Sequence, residues 1–316
     1  MFTCLIVSIL LADKPLTFAA GYIPNVQFLP FYVALERGYY REEGIELSID
    51  YTVGSDIFKL VAQGKIDVAS ADPDGLLSAC QQGLPLVHVA TFYQNYPLAI
   101  ISKKPVHSAS DLKGKRIGIS GAYGSSYLGL KAMCDQLGLK LQDLDLVTIG
   151  YTQVAAMRNG TVEAVVGYAN NEPVRLAEEG VETHLYKLSY QNSFPGVGFM
   201  VNRDKWEKDS EPIRAFLRAT FRGLVDVVLS PKECFALVAP KYLAGVNPDP
   251  EASPEYKVLM ATLPYWSNLY TQKNGFGQCD PSSWSNLSHF MEVQQGVSFK
   301  DWQDWVKMDF RWKNMP

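Results

Sequence analysis

Two spacings of apolar residues alternate along the chain. Runs such as "LTFAA" (16–20), "KIDVASA" (65–71) and "LPLVHVATF" (84–92) read as strands, and "GIELSIDYT" (44–52) alternates apolar and polar positions as a half-buried strand does. Between them the period becomes helical. "FYVALER" (31–37) predicts a short helix, with Pro30 tolerated in its first turn and Gly38 as its stop. "SDIFKLVAQG" (55–64) opens on a Ser/Asp cap and ends at Gly64, and "GLLSACQQG" (75–83) is a further helix. After "LAIISKK" (98–104) the pattern restarts. Strands in "DLKGKRIGIS" (111–120), "DLVTIG" (145–150) and "TVEAVVGYA" (161–169) alternate with helices in "SSYLGLKAMCDQLG" (125–138), "TQVAAMRNG" (152–160) and "NEPVRLAEEG" (171–180). Strands separated by helices imply parallel strands and an α/β fold. "FPGVGFMVNRD" (194–204) supplies one more strand, placed to return to the first half, and from about Ser210 only helical spacing follows.

The two halves share a unit. "KLVAQGKIDVASADPD" (59–74) runs helix, Gly64, strand, then Asp72-Pro73, and "AAMRNGTVEAVVGYANNEP" (155–173) runs helix, Gly160, strand, then Asn170-Asn171-Glu172-Pro173. Each polar end falls at the carboxyl end of a strand, which is where open α/β sheets bind ligands. Two such halves facing one another predict a polar and aromatic cleft between lobes.

Composition narrows the function classes. The 316 residues carry a formal net charge of -4, with Lys+Arg 29 against Asp+Glu 33 and no basic block, so the footprint of a nucleic-acid binder is missing. The five cysteines and four histidines are scattered without zinc spacing, and neither a disulfide framework nor a metal is expected. The apolar stretch Phe2 to Ala12 is too short to span a bilayer and resembles the core of an export signal without its basic start, so residues 1–14 are expected to be a truncated export signal.

Several motifs bear on chemistry. "GISGA" (118–122) lacks the last glycine of a nucleophile elbow. "GAYGSSYLG" (121–129) can offer backbone N–H groups and the Ser125 and Ser126 hydroxyls to an oxygen, but it lacks the Lys-Ser/Thr of a phosphate loop. Asp72 and Asp74 can pair as carboxylates, although capping a helix explains one of them, and no histidine is their neighbour in sequence. Aromatic residues crowd the strand ends and loops: Tyr22, Phe28, Tyr93, Tyr96, Tyr123, Tyr168, Phe194 and Trp266. Beside them stand Asn25, Gln94, Asn170 and Glu172. An aromatic slot with a few hydrogen-bonding groups suits a planar, heteroatom-rich ligand, while some of these rings serve only to cover lobe edges.

The stretches "YIPNVQFLPFYVALERGYYREEGIELSI", "LVAQGKIDVASAD", "DLKGKRIGI" and "VAAMRNGTVEAVVGYANNEP" resemble the periplasmic substrate-binding proteins of ABC transporters, in the branch that binds thiamine pyrimidine precursors, riboflavin, sulfonates and nitrate. The likeness covers roughly residues 15 to 230, and the vitamin binders are the most similar. It implies two Rossmann-like lobes joined by hinge strands near 98–104 and 195–202, the type II periplasmic binding fold: lobe 1 from 15–100 plus 200–316, with a helical C-terminal extension, and lobe 2 from 101–199. It further implies capture of a vitamin-class heterocycle, riboflavin or a thiamine pyrimidine precursor, by hinge closure. A membrane permease would be the partner, the location periplasmic or otherwise extracytoplasmic, with or without membrane association, and the state monomeric. No cofactor is implied. The alternatives are a pyrimidine-synthesising or pyrimidine-processing enzyme on the same fold and a sulfonate or nitrate binder. Related enzymes carry a Cys-rich stretch that is missing here, and cations are sparse at the strand ends. The expected ligand surface comprises Tyr22, Asn25, Phe28, Asp72, Tyr93, Gln94, Tyr123, Ser125, Tyr168, Asn170, Glu172 and Trp266.

Overall fold

The structure, a computed structural model, describes residues 13–51 and 56–313. The expected export segment lies outside these residues except at its end, where Lys14 already opens the first strand. In chain order the first part holds β1 (Lys14–Ala19), α1 (Leu29–Glu36), α2 (Tyr39–Glu42), β2 (Ile45–Asp50), α3 (Ile57–Ala62), β3 (Val68–Ala71), α4 (Pro73–Gln81) and β4 (Leu86–Thr91). The middle part holds β5 (Leu98–Ser102), β6 (Arg116–Ile119), α5 (Gly124–Leu137), β7 (Asp145–Thr148), α6 (Gln153–Arg158), β8 (Ala164–Tyr168), α7 (Glu172–Glu178) and β9 (His184–Tyr186). The chain ends with β10 (Gly198–Asn202), α8 (Arg203–Lys208), α9 (Glu211–Leu229), α10 (Pro231–Tyr242), α11 (Pro254–Trp266), α12 (Leu269–Asn274), α13 (Pro281–Gln295) and α14 (Trp302–Trp305).

Two five-stranded sheets result, ordered β2-β1-β3-β10-β4 and β7-β6-β8-β5-β9. In each, three strands pair in parallel, and the fourth runs antiparallel between its neighbours. That fourth strand is the one whose chain arrives from the other lobe: β10 in the first sheet and β5 in the second. The chain therefore crosses at Phe92–Pro97 and again after β9, before β10. The expected lobe boundaries at 100/101 and 199/200 would cut β5 and β10, each of which lies wholly in one sheet. All five β5 side chains are buried and β5 pairs with β8 and β9, so it is wholly a strand of the second sheet.

Alternation along the strands builds the core on both faces of each sheet. Phe18, Phe199 and Val201 face one helical layer with Phe31 and Phe216, while Ala19, Met200 and Leu86 face another with Leu76, Trp284 and Trp302. The C-terminal helices thus cover both faces of the first sheet. The tail also covers its edge: β4 gives Thr91 N–H to Gly277 O at 2.9 Å and receives Lys307 N–H on His88 O at 2.8 Å, so the backbone groups of an edge strand are not left bare. In the second sheet Ile100 and Val166 face α5, and Ile101 and Val165 face the layer of Met157 and Leu176.

Helix α1 explains why the first lobe needs its C-terminal extension. Six of its eight residues, Leu29 to Ala34, are buried, so it is apolar all round and must be enclosed. Phe31 stacks on Phe18 with ring centres 4.7 Å apart, and α9 closes the other side. The two helices touch at Gly223, where an added Cβ would stand 2.2 Å from Pro30 O and 3.0 Å from the Ala34 Cβ.

Gly223→Ala is therefore expected to destabilise the protein by about 1–3 kcal/mol through overpacking, against the gain of up to about 1 kcal/mol that alanine brings to a helix interior. Urea unfolding checks this, and equal or higher stability would show that α1 and α9 can separate without loss.

Candidate functional site

The loops after β1, β3, β6 and β8 meet between the lobes. After β1, Gly21 adopts a left-handed conformation (φ 71°), and Tyr22 and Ile23 project outward, 42% and 58% exposed. Asn25 then builds the turn itself. Its Oδ1 accepts Gln27 N–H at 2.8 Å and its Nδ2 donates to Ile23 O at 3.2 Å, capping a 3-10 turn over Val26–Phe28. The turn carries Phe28 inward, where it packs edge-on against Phe31 and Tyr51, 4% exposed. Expected at the ligand surface, Phe28 is a core residue, because the turn aims its ring at α1.

After β3, Asp72 occupies the N-cap position of α4 without capping it through its side chain. Its carboxylate and that of Asp74 turn instead to the other lobe, where Ser125 lies in the first turn of α5. Ser125 Oγ stands 3.0 Å from Asp72 Oδ2 and 2.5 Å from Asp74 Oδ1. One hydroxyl proton cannot donate to both acceptors, so both contacts are hydrogen bonds only when a carboxyl also carries a proton. Burial, then the charge of Asp74, pushes Asp72 up to about 7, against the pull of the Ser125 bond. Asp74 is likewise raised by burial, opposed by Ser125 and by the N–H groups of Asp74 and Gly75. The Tyr96 and Tyr168 rings flank the pair, crossed at 84° with centres 6.5 Å apart. The Tyr96 hydroxyl lies close to Ser125 and Tyr168 but aligns with neither as a hydrogen bond. Burial and, after it, the Asp72 charge raise the pKa of both tyrosines.

At the end of β8, Glu172 opens α7 and folds back so that its Oε2 accepts Tyr168 N–H at 2.7 Å. Burial raises its pKa, opposed by the backbone N–H groups of Glu172 and Tyr168, by Asn171 and by Arg175. The fold leaves room for that carboxylate at Gly167, whose absent Cβ would sit 3.0 Å from the Glu172 carboxyl carbon. Tyr22 faces this group from the first lobe: burial, then the Glu172 charge, then Tyr151 raise its pKa, and Arg175 opposes them. Tyr22 and Tyr151, the latter 79% exposed, face one another as an aromatic rim from loops of both lobes.

A third element closes the side. Helix α11 reaches the second lobe through Lys257–Glu178 at 2.6 Å, Arg175–Glu255 at 3.4 Å and Asn170 Nδ2 donating to Thr262 Oγ1 at 2.8 Å. At its end Trp266 is buried against Phe92 and edge-on to Tyr93, and Tyr265 O accepts Gln94 N–H at 2.6 Å. Beneath this helix, polar atoms are buried without a hydrogen-bond partner: both ends of the Gln94 amide, Asn170 Oδ1, the Tyr93 and Tyr96 hydroxyls and the Trp266 indole N–H. A cavity of 480 Å³ adjoins them, lined by Asn95, Tyr96 and Phe194 of the crossings, by Gly129 and Met133 of α5, and by Ala261, Pro264 and Tyr265 of α11. None of the twelve residues expected at the ligand surface lines it, yet Asn95 and Ala169, next in sequence to Gln94 and Asn170, do. The acid and aromatic cleft is the candidate site, because the strand ends of both lobes bring Asp72, Asp74, Ser125, Tyr168 and Glu172 together there, and the cavity is free volume beside it.

Of the expected residues, Asp72, Ser125, Tyr168, Asn170 and Glu172 come together with Tyr22 at the rim. Tyr93, Gln94 and Trp266 lie deeper, beneath α11, and Tyr123 is mostly in solvent with its ring folded over Gly121. Thr262, Tyr151 and Arg175 were not read as site residues. Thr262 stands among the apolar residues of the second half of α11, and only its position on that helix places it against Asn170. His88 is buried within β4, bonded to Thr91 Oγ1 at 2.9 Å, and burial lowers it to about 3. Among the described residues no three His, Cys, Asp or Glu side chains gather as metal ligands.

A family model described as "NMT1/THI5 like" matches residues 25–234. The chain is 36% identical to the riboflavin-binding protein RibY of Chloroflexus aurantiacus, over 89% of this chain and 81% of that one. It is 28% identical to the formylaminopyrimidine-binding protein of Halalkalibacterium halodurans, over 90% and 84%. It is 25% identical to the 4-amino-5-hydroxymethyl-2-methylpyrimidine phosphate synthase of Schizosaccharomyces pombe, over 71% and 69%. Among solved structures, the periplasmic aliphatic sulphonate binding protein SsuA of Escherichia coli superposes with a TM-score of 0.69 over 96% of this chain and 95% of that one, at 15% identity. That likeness is one of fold, and the fold is that of the periplasmic binding proteins.

Thr262→Val keeps the shape of α11 and removes the acceptor of the Asn170 amide. Leaving that buried donor unpaired is expected to lower stability by about 1–3 kcal/mol in urea unfolding. An unchanged midpoint would mean that Asn170 turns to another acceptor.

Proposed function

This chain belongs to the NMT1/THI5-like family, and we propose that it is the substrate-capturing component of an ABC uptake system, closing its two lobes on an uncharged, flat heterocycle of the riboflavin type. One observation carries the reading. Between the cleft and the underside of α11, aromatic rings and buried polar groups without partners gather: Tyr96 and Asn170 at the cleft, and Tyr93, Gln94 and Trp266 deeper. Each such group costs about 1–3 kcal/mol when left unpaired, and a ligand edge with both donors and acceptors would satisfy several at once. Rings offered by Tyr22, Tyr96 and Tyr168 suit stacking or edge contact with a planar system, worth about 0.5–1.5 kcal/mol per pair beyond burial.

Charge argues for a neutral ligand. Asp72, Asp74 and Glu172 are the acids of the cleft, whereas the nearby cations are engaged: Arg175 with Asn171 and Glu255, and Lys187 with the Tyr265 hydroxyl. A sulfonate or nitrate would find its natural place, the start of α5, already facing two carboxylates. Capture rather than turnover is supported by the binding proteins among the relatives and by the fold. An extracytoplasmic location, a membrane permease as partner and a monomeric state accompany the reading. Among the described residues no helix is long and apolar enough to cross a membrane.

Titration calorimetry with matched ligands tests this. Riboflavin is expected to bind at least about tenfold more tightly than FMN, a difference of about 1.4 kcal/mol or more, because the phosphate adds negative charge beside three acids. Hydroxymethylpyrimidine and formylaminopyrimidine belong in the same series as smaller neutral rings. Tighter binding of FMN, or strong binding of nitrate or a sulfonate, would overturn the reading. Glu172→Ala is expected to weaken riboflavin by about 1–3 kcal/mol while leaving the fold intact by circular dichroism. Equal affinity would remove Glu172 from the ligand surface.

A further inference from the structure

We infer that Asp72, Asp74 and Ser125 form a proton-carrying clasp that latches the two lobes together, so that closure of this protein is coupled to pH. The three residues come from opposite lobes: Asp72 and Asp74 from the start of α4, and Ser125 from the start of α5. Their contacts, 3.0 and 2.5 Å, are direct hydrogen-bond distances across the cleft. The serine hydroxyl has one proton for two acceptors, so the observed geometry needs a second proton on a carboxyl group.

Among the described residues no cation compensates the pair. The ionisable groups facing it are the hydroxyls of Tyr96, from the first crossing, and of Tyr168, from β8, with Glu172 beyond Tyr168. All of these are neutral or negative. The positive ends of α4 and α5 and the N–H groups of Asp74 and Gly75 are the favourable partners left. Two ionised carboxylates buried side by side would repel one another and lose their hydration, and sharing a proton relieves both costs.

The direction of the coupling follows. With the lobes apart, the carboxylates meet water and titrate in the ordinary range, near ~4. In the clasp, burial and mutual repulsion hold Asp72 up to about 7. Between those values closing takes up a proton. The clasp is thus at full strength in acid, weakens as pH rises through this window, and is weakest above about 7. The inference concerns the lobes alone and does not rest on the identity of the ligand.

Small-angle X-ray scattering on the full chain without added ligand tests it, between about pH 5 and 8.5, the range that brackets the raised carboxyl. The radius of gyration is expected to increase as pH passes about 7. Asp74→Asn removes one charge and keeps a hydrogen-bonding side chain, so it should hold the compact form across the whole range. Ser125→Ala removes the donor from the other lobe and should give the larger radius in acid too. Circular dichroism at each pH confirms that the chain remains folded. A radius independent of pH in the unaltered protein, or an Asp74→Asn profile that follows it, overturns the clasp. Because no heterocycle is present, either outcome leaves the reading of the ligand standing.

Discussion

Each sheet of this protein is completed by a strand that belongs to the path between the lobes. β5 and β10 run antiparallel in fourth place, and each is hydrogen-bonded on both sides. Each crossing is consequently anchored at one end by a strand bonded on both sides, β5 or β10, and at the other by an edge strand, β4 or β9. They can bend, but they cannot slide without breaking a sheet. That constraint places the loops after β1 and β3 opposite those after β6 and β8, and it fixes which side chains meet. The cleft exists because the two sheets exchange strands.

Within that frame the electrostatics are one-sided. The ionisable groups gathered at the cleft are acids and tyrosines, and basic side chains around it are drawn off into pairs with α11 or with neighbouring amides. Helix α11 is part of the same arrangement. By ion pairs to α7 and a bond to Asn170 it holds the C-terminal extension against the second lobe, although its apolar face belongs to the first. An extension that reads as filler for one core is also a side wall of the cleft.

Much of this was legible in the chain. The alternation of strands and helices, the restart after residue 104 and the return strand at 194–204 follow from apolar spacing alone, because central strands bury both faces and most helices only one. The position of Asp72, Asn170 and Glu172 at strand ends follows from the repeated helix–glycine–strand unit. Strand order was not legible, since β5 and β10 carry the same unbroken apolar runs as parallel strands do. Nor was the direction of a side chain within a turn: Asn25 and Phe28 stand three residues apart in one aromatic-rich loop, yet one builds the turn and the other enters the core. Asp72 and Asp74 are recognisable as a pair, but their partner Ser125 is 51 residues from the nearer of them, and only the fold supplies that contact.

The exchange of strands also orders the birth of the structure. The second sheet is assembled entirely from residues 98–186, a contiguous stretch, whereas β4 pairs with no strand but β10. As the chain leaves the ribosome, the first lobe emerges first and cannot finish: β4 has an open flank until residue 202 has been made, and α1 lacks its cover until α9 follows. The lobe that comes second in sequence is therefore complete first, and the last third of the chain closes the lobe with which synthesis began.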